Sequence, residues 1–412
     1  MLIQFNFKNF KSFRDDTSLD MTATSITEHP YNLINSGDEK YIKTAAIYGA
    51  NASGKSSVIQ AFQFMRNWVS DSFKKSAENE YIPIKRFAFD NEALKEPAEF
   101  EVFFKYRNNE YQYGFSLDNK SIVEEWLYLK KENSKDKYIT LFERTKEGID
   151  CNSKLLKGAE NFISMIEGKT LFLSIISNAK IPYAKDVYSW FILSWIMDYG
   201  NIIFELAIAD LNKEKFNEIS YRSKLINFLN AIDINIKDIV IEKTENENDK
   251  PKVYTMHSIK GKDTFYKMPI VEESSGTQKM VTLFYNLNWS LELGTPLFID
   301  ELDAKLHPLL LRYILTMFHD ENINKNGAQL IYVTHDNYTL TNDIFRRDQI
   351  WFVEKDSDSV SHLYSLAEYK SEDDKKVRKD ASYNKDYLLG KYGSVPILRG
   401  YDMWRTQDGE IK

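Results

Sequence analysis

Residues 49–56 read Gly49-Ala50-Asn51-Ala52-Ser53-Gly54-Lys55-Ser56, and how this stretch is read decides the fold. The string satisfies G-x-x-x-x-G-K-[ST], in which a loop of backbone N–H groups surrounds phosphate oxygens and a helix N-terminus lies behind them. The context agrees. Residues 43–48 (KTAAIY) form a short apolar run like a buried strand, and SSVIQAFQFMRNWV after Lys55 has amphipathic helical spacing. In this arrangement Lys55 reaches the β- and γ-phosphates and Ser56 offers its hydroxyl to Mg²⁺. Gly49 and Gly54 permit backbone angles and a close approach that a side chain would block. Asn51, Ala52, Ser53 and Ser57 complete the expected nucleotide-binding set.

Outward from this loop, Leu2 to Phe7 alternate as a strand. Between residues 87 and 145 the period becomes two, through FEVFFKY, a turn at Arg107-Asn108-Asn109, EYQYGFSLD, IVEEWLYLK and YITLFER. That pattern predicts an antiparallel meander. Helical spacing returns over residues 155–238, with Phe191/Trp195 and Leu225/Leu229 four apart. The apolar region 188–208, interrupted by Asp198, Gly200 and Glu205, reads as a buried helix pair and is too broken to span a bilayer. Polar residues 242–251 predict an exposed loop or hairpin tip. After Val271 the pattern is α/β again: a helix from Gly276 to about Glu292, a strand at 296–299, a helix after Pro308, and strands at 329–333, 349–354 and 361–365. The segment beyond Glu368 reads as a C-terminal extension.

The expected fold class is therefore α/β, a P-loop NTPase with an antiparallel β subdomain and an inserted helical subdomain. Its expected parts are 1–86 (phosphate-loop half of the core), 87–150 (meander), 151–270 (helical), 271–367 (second half of the core) and 368–412 (extension).

Composition narrows the setting. The chain has 412 residues, 43% of them hydrophobic, and one cysteine, which suits a reducing, cytoplasmic compartment without a disulfide framework. The N-terminus MLIQFNFKNFKSF lacks the pattern of a signal peptide. A net charge of −7 argues against binding nucleic acid by bulk attraction, although a local basic groove for DNA stays open. Lys74-Lys75, Arg346-Arg347 and the run 375–379 are expected to be solvated faces.

Three further elements carry chemistry. Pro296-Leu297-Phe298-Ile299-Asp300-Glu301 is an apolar strand ending in two carboxylates. Asp300 is the expected metal residue beside Ser56, and Glu301 the base that orients and deprotonates the attacking water. His335 follows the strand LIYV, far enough past Asp300 for one helix between parallel strands, and could sense the γ-phosphate. Glu273-Ser274-Ser275-Gly276-Thr277-Gln278 opens a helix; Ser275 can cap it, and the free N–H groups make another anion site.

Taken in order, Asn9-Phe10-Lys11-Ser12-Phe13, GANASGKS, ESSGTQ, FIDELDAKLHP and YVTHD resemble the ABC ATPases of the SMC/RecF/OLD branch. Within it the chain is similar to RloA/AbiLi-like AAA-family ATPases of phage-defence (abortive infection) operons, through FEVFF, YGFSLD, EEWLYL, LFER, RRDQIWFVEKD and YLLGKYG. The resemblance runs from Met1 to about Pro396. It implies an ABC-ATPase head architecture, ATP with Mg²⁺, and two heads that sandwich two ATP molecules in a homodimer or higher oligomer. Ser275, Gly276 and Gln278 would act in trans, Asp303 would sit at the dimer interface, and Lys11 and Ser12 beside the base or ribose. The glutamine that bridges metal and water in such enzymes has no clear counterpart; Gln60 and Gln63, on the phosphate-loop helix, fit it poorly. ESSGTQ departs from the Leu-Ser-Gly-Gly of many relatives.

The space between the two halves lacks the heptad-bearing insertion of the SMC type, and the stretch after His335 is too short for the Toprim nuclease of the OLD type. The resemblance, narrowed by these departures, implies an ATPase that controls a separately encoded effector in phage defence. A DNA-repair ATPase of the RecF type, acting directly on DNA, is the alternative.

Overall fold

In the computed structural model, which describes residues 1–78, 81–132, 137–200, 213–242, 252–304, 306–370 and 374–395, the chain starts with strands β1 (Leu2–Lys8) and β2 (Thr17–Asp20). A hairpin of β3 (Leu33–Ser36) and β4 (Glu39–Ile42) precedes β5 (Thr44–Gly49), from which the phosphate loop leads into helix α1 (Lys55–Glu78). Strands β6 (Ala98–Tyr106), β7 (Asn109–Leu117), β8 (Ile122–Lys131), β9 (Ile139–Thr145) and β10 (Gly148–Cys151) follow. Next come α2 (Phe172–Asn178), α3 (Pro182–Leu193), β11 (Trp195–Asp198), α4 (Ile219–Ala231), β12 (Asp238–Glu242), β13 (Lys252–Ser258) and β14 (Phe265–Pro269). The chain continues through α5 (Ser275–Leu293), β15 (Pro296–Asp300), α6 (Pro308–His319), β16 (Gln329–Val333), β17 (Ile350–Lys355), β18 (Ser361–Ser365) and α7 (Tyr383–Leu388).

The central sheet has the order β11-β15-β16-β5-β17-β18, parallel except for the last strand. Every residue of β5, β15 and β16 is buried. Both faces are covered, which is why these strands read as continuous apolar runs and not as alternation. Ala45, Ile47, Phe298, Ile331 and Val333 face one core with α1, α2 and α3, while Ala46, Tyr48, Leu297, Ile299, Leu330 and Tyr332 face a second with α5 and α6.

The other large sheet, β10-β9-β8-β7-β6-β1-β2, is antiparallel throughout. Its β6 buries Phe100, Val102 and Phe104 and turns Glu99 and Glu101 outward. The turn before β7 consists of Arg107 and Asn108 alone, at φ 49° and 63°, the two-residue form that matches strand twist; Asn109 already pairs with Tyr106. Helix α1 is held between the sheets through Phe62, whose ring stacks on Phe298 at 4.1 Å and meets Phe5 edge-on at 5.4 Å.

Several expectations need correction. The expected helix pair at 188–208 ends at Leu193: Trp195–Asp198 is strand β11, parallel to β15, with Asp198 opposite Asp300. Phe191 and Trp195 therefore share no helix. Pairing with the open edge of β15 satisfies backbone groups that a helix would have satisfied internally, and this tertiary gain overrides local spacing. Residues 201–212, the rest of that stretch, lie outside the described residues. Segment 151–270 holds helices, but α2 and α3 pack in the first core and α4 in the second, and β12–β14 form a three-stranded antiparallel sheet. Of the polar stretch 242–251, residues 243–251 lie outside the described ones, between strands that pair Glu242 with Lys252.

Arg346 is not on a solvated face. It is buried, with its guanidinium on Asp348 and on the carbonyls of Ile26 and Glu28, while Arg347 pairs with Glu28. Part of the C-terminal extension packs as core: Tyr387 and Tyr392 lie 5.4 and 5.7 Å from the ring of Phe352 on β17. Among the described residues no helix is long and apolar enough to cross a membrane.

Candidate active site

Because β5, β15, β16 and β17 run parallel, their carboxyl ends share one edge, where open α/β sheets bind ligands. The loop after β5 needs its glycines. Gly49 has φ 154°, and a Cβ there would overlap the carbonyl oxygen of Val353. Gly54 has φ 111°, and a Cβ there would lie 2.6 Å from Ser361 Oγ and 2.7 Å from Ser12 Oγ. Lys55 is buried and donates from Nζ to the carbonyls of Gly49 and Ala50 at 2.9 and 2.8 Å. Burial holds its ammonium below the ordinary lysine pKa, with Asp300, Glu301 and Asp303 opposing.

Strand β18 ties this loop to the Lys11-Ser12 turn. Ser361 Oγ donates to the carbonyl of Ser53 at 2.5 Å, and Ser361 N donates to that of Ser12 at 2.7 Å. Lys11, at φ 53°, donates from its backbone to the Lys85 carbonyl and from Nζ to Gln60 Oε1. Together Lys11, Ser12, Ala52, Gly54, Lys55, Ser56, Ser57 and Lys355 line a cleft of about 290 Å³. Gly54→Ala is expected to weaken nucleotide binding at least tenfold and to lower stability by about 1–3 kcal/mol, the cost of strained backbone. Titration and a thermal melt check it, and a variant matching wild type in both removes the assignment.

Across the crevice, Ser56 Oγ donates to Asp300 Oδ1 at 3.0 Å. Burial raises the Asp300 carboxyl to about 6; the Ser56 hydrogen bond works against this, and the nearby carboxylates of Asp198 and Glu301 add to it. A hydroxyl beside a carboxylate crowded by like charges suits a hard cation such as Mg²⁺, which takes oxygen ligands from few protein groups and completes its shell with phosphate and water.

Glu301 leaves the strand at φ 53°, and its carboxylate lies over Gly200, where a Cβ would overlap Oε2. Asp303 Oδ2 accepts the backbone N–H of His335 at 3.1 Å. Burial and the Lys55 ammonium keep the exposed-edge imidazole of His335 below the ordinary histidine pKa. A neutral ring there can accept as well as donate a hydrogen bond.

The helix-opening turn differs from expectation. Helix α5 is capped by Ser274, whose Oγ accepts from Thr277 N at 3.1 Å, and Ser275 is its first residue. Gln278, expected to act in trans, is buried, its amide donating to the carbonyls of Val271 and Glu273 at 2.9 and 3.0 Å. Its donor group is thus committed to its own chain. Ser274, Ser275 and Gly276 are exposed, and among the described residues no hydrogen bond or ion pair joins Ser275 or Gly276 to the phosphate loop.

The structure therefore gathers Lys11, Ser12, the phosphate loop, Asp300, Glu301, Asp303 and His335 at one sheet edge and leaves Ser275 and Gly276 apart. It adds Asp198, Gly200, Lys355 and Ser361. The polar break at Asp198 and Gly200 inside an apolar run was a visible signal for the first two. Lys355 ends a strand, and nothing local marks Ser361.

Solved structures that are similar at low levels include three. The recombination mediator protein RecF-ATPrS in the RecFOR pathway is 14% identical, over 88% of this chain and 98% of that one, with a TM-score of 0.36. RecF-ATP in the same pathway is 13% identical over 88% and 97%, at 0.35. The protein cbiO1 of Clostridium perfringens, part of the ABC transporter complex cbiONQ, is 13% identical over 89% and 90%, at 0.27. These likenesses are too slight to carry weight, and no curated protein matches the sequence. Residues 45–341 match the family described as "AAA domain, putative AbiEii toxin, Type IV TA system"; with more than half of the chain matched, around the phosphate loop and the Asp300–Glu301 strand end, the protein belongs to this family of P-loop ATPases.

Proposed function

We propose that the protein is a Mg²⁺-dependent ATPase whose copies close on sandwiched ATP and thereby control a separately encoded effector in phage defence. The observation that carries the reading is the Ser56–Asp300 hydrogen bond at 3.0 Å, which joins the phosphate loop to a carboxylate 244 positions away. In it Lys55 binds the β- and γ-phosphates, Ser56 and Asp300 hold Mg²⁺, Glu301 positions and deprotonates water, and His335 contacts the γ-phosphate. Lys11 and Ser12, in the same cleft, take the base or ribose.

Dimer closure is supported by Ser275 and Gly276, exposed at the N-terminus of a 19-residue helix, where unpaired N–H groups and the helix dipole favour a phosphate. Asp303 would meet the partner head nearby. The defence role is supported by the family's description, which speaks of an AbiEii toxin and a toxin–antitoxin system.

The test is the oligomeric state of Glu301→Gln, in which bound ATP persists, measured by light scattering with and without ATP and Mg²⁺. A mass that doubles or rises further only with nucleotide is expected. A mass indifferent to nucleotide overturns the closure.

A further inference from the structure

The second turn of α5 carries a buried lysine. Lys279 is 3% exposed. Its ammonium donates to the carbonyl oxygen of Ala304 and lies 3.9 Å from the centroid of the Tyr199 ring. Both partners belong to the edge that holds Glu301. Ala304 donates its N–H to the Glu301 carbonyl at 2.9 Å and follows Asp303, which in turn holds His335 N. Tyr199 donates its N–H to the Asp300 carbonyl at 2.9 Å and precedes Gly200, on which the Glu301 carboxylate rests.

One residue earlier, Gln278 locks the start of α5 to the carbonyls of Val271 and Glu273. The exposed Ser275-Gly276 turn and the seat of Glu301 are thus joined through neighbouring side chains of one helix. Packing α5 on the sheet would need only an apolar group at this position. An ammonium withdrawn from water must be met by specific partners, and a carbonyl oxygen together with an aromatic face fixes where those partners stand.

We propose that Lys279 is a positioning residue that couples the Ser275-Gly276 turn to Glu301. When that turn takes up the γ-phosphate bound to a second copy, α5 shifts, and Lys279 transmits the shift to Ala304 and Tyr199, which set the Glu301 carboxylate. Hydrolysis then awaits closure. The proposal rests on the dimeric ATPase reading above.

The experiment uses the full chain with ATP and Mg²⁺ and compares Lys279→Met, which keeps the length and removes the charge, with Lys279→Arg, which keeps charge and donors. For Lys279→Met, KM and melting temperature should match wild type while kcat falls at least about tenfold, since misplacing a reacting group by about 1 Å can cost a hundredfold. Lys279→Arg should recover most of kcat. Tyr199→Leu removes the ring and leaves the ammonium, so it gives an independent reading with the same expected loss in kcat.

A wild-type kcat in Lys279→Met or in Tyr199→Leu overturns the coupling, as does a fall in kcat matched by a lower melting temperature in both. Wild-type protein that hydrolyses no ATP, or Glu301→Gln that hydrolyses it normally, overturns the underlying reading as well, and these controls tell the two failures apart.

Discussion

Lys55→Ala is expected to weaken ATP binding by about one to two orders of magnitude, the worth of a hydrogen bond to a charged group at roughly 1.5–3 kcal/mol. The Lys55 ammonium is already drawn into the site by the carbonyls of Gly49 and Ala50, so little ordering remains to be done when phosphate arrives. Burial holds it below the ordinary lysine pKa, and an anionic ligand beside it favours the charged form. Lys11 and Lys355 line the same cleft, which is why residual binding should remain. The fold should survive, because the substitution removes a partly desolvated charge and no large apolar contact. Calorimetric titration with a non-hydrolysable ATP analogue decides the point, and a Kd equal to that of wild type removes Lys55 from the phosphate site.

The central sheet was legible because each of its main strands is buried on both faces and so announces itself as an apolar run, as at Pro296–Asp300 and Gln329–Val333. The meander was legible for the opposite reason, since Phe100, Val102 and Phe104 face inward while Glu99, Glu101 and Lys105 fall on the other face. Strand β11 was hidden. Trp195–Asp198 has one paired edge and sits directly after a helix with the same apolar content, so only the partner strand β15 decides its conformation, and that information lies a hundred residues away in sequence.

Asp198 and Gly200 were lost with it, although one crowds Asp300 and the other makes room for Glu301. Within the site, the phosphate loop and Asp300-Glu301 were readable because a single local geometry requires those residue types in that order. Ser361 and Lys355 were not, because a serine that braces a loop from a neighbouring strand has no pattern of its own. The misplaced cap is a matter of one residue: Ser274 and Ser275 are chemically alike, and only the Thr277 N–H distinguishes them.

Glu301→Gln is expected to leave ATP binding close to wild type and to slow hydrolysis by about a hundredfold or more, the usual contribution of a general base. The amide keeps the size of the carboxylate and can still fit over Gly200, so the strand end and its φ of 53° need not change. What it loses is the ability to take a proton from water. The neighbouring carboxylates are poor substitutes: Asp300 accepts a hydrogen bond from Ser56 and is the residue proposed to hold Mg²⁺, and Asp303 is engaged with the backbone of His335.

A second substitution separates chemistry from placement. Gly200→Ala puts a methyl group where Glu301 Oε2 lies and leaves the carboxylate chemically intact, so if position matters its rate should also fall, by about tenfold or more. Both variants are compared with wild type by phosphate release under saturating ATP, alongside ATP affinity by titration. Unchanged turnover in Glu301→Gln would take Glu301 out of the hydrolytic role, and a loss of ATP affinity equal to the loss of rate would make it a binding residue instead. If Glu301→Gln is slow and Gly200→Ala is not, Glu301 remains the base, and the close fit over Gly200 is only packing.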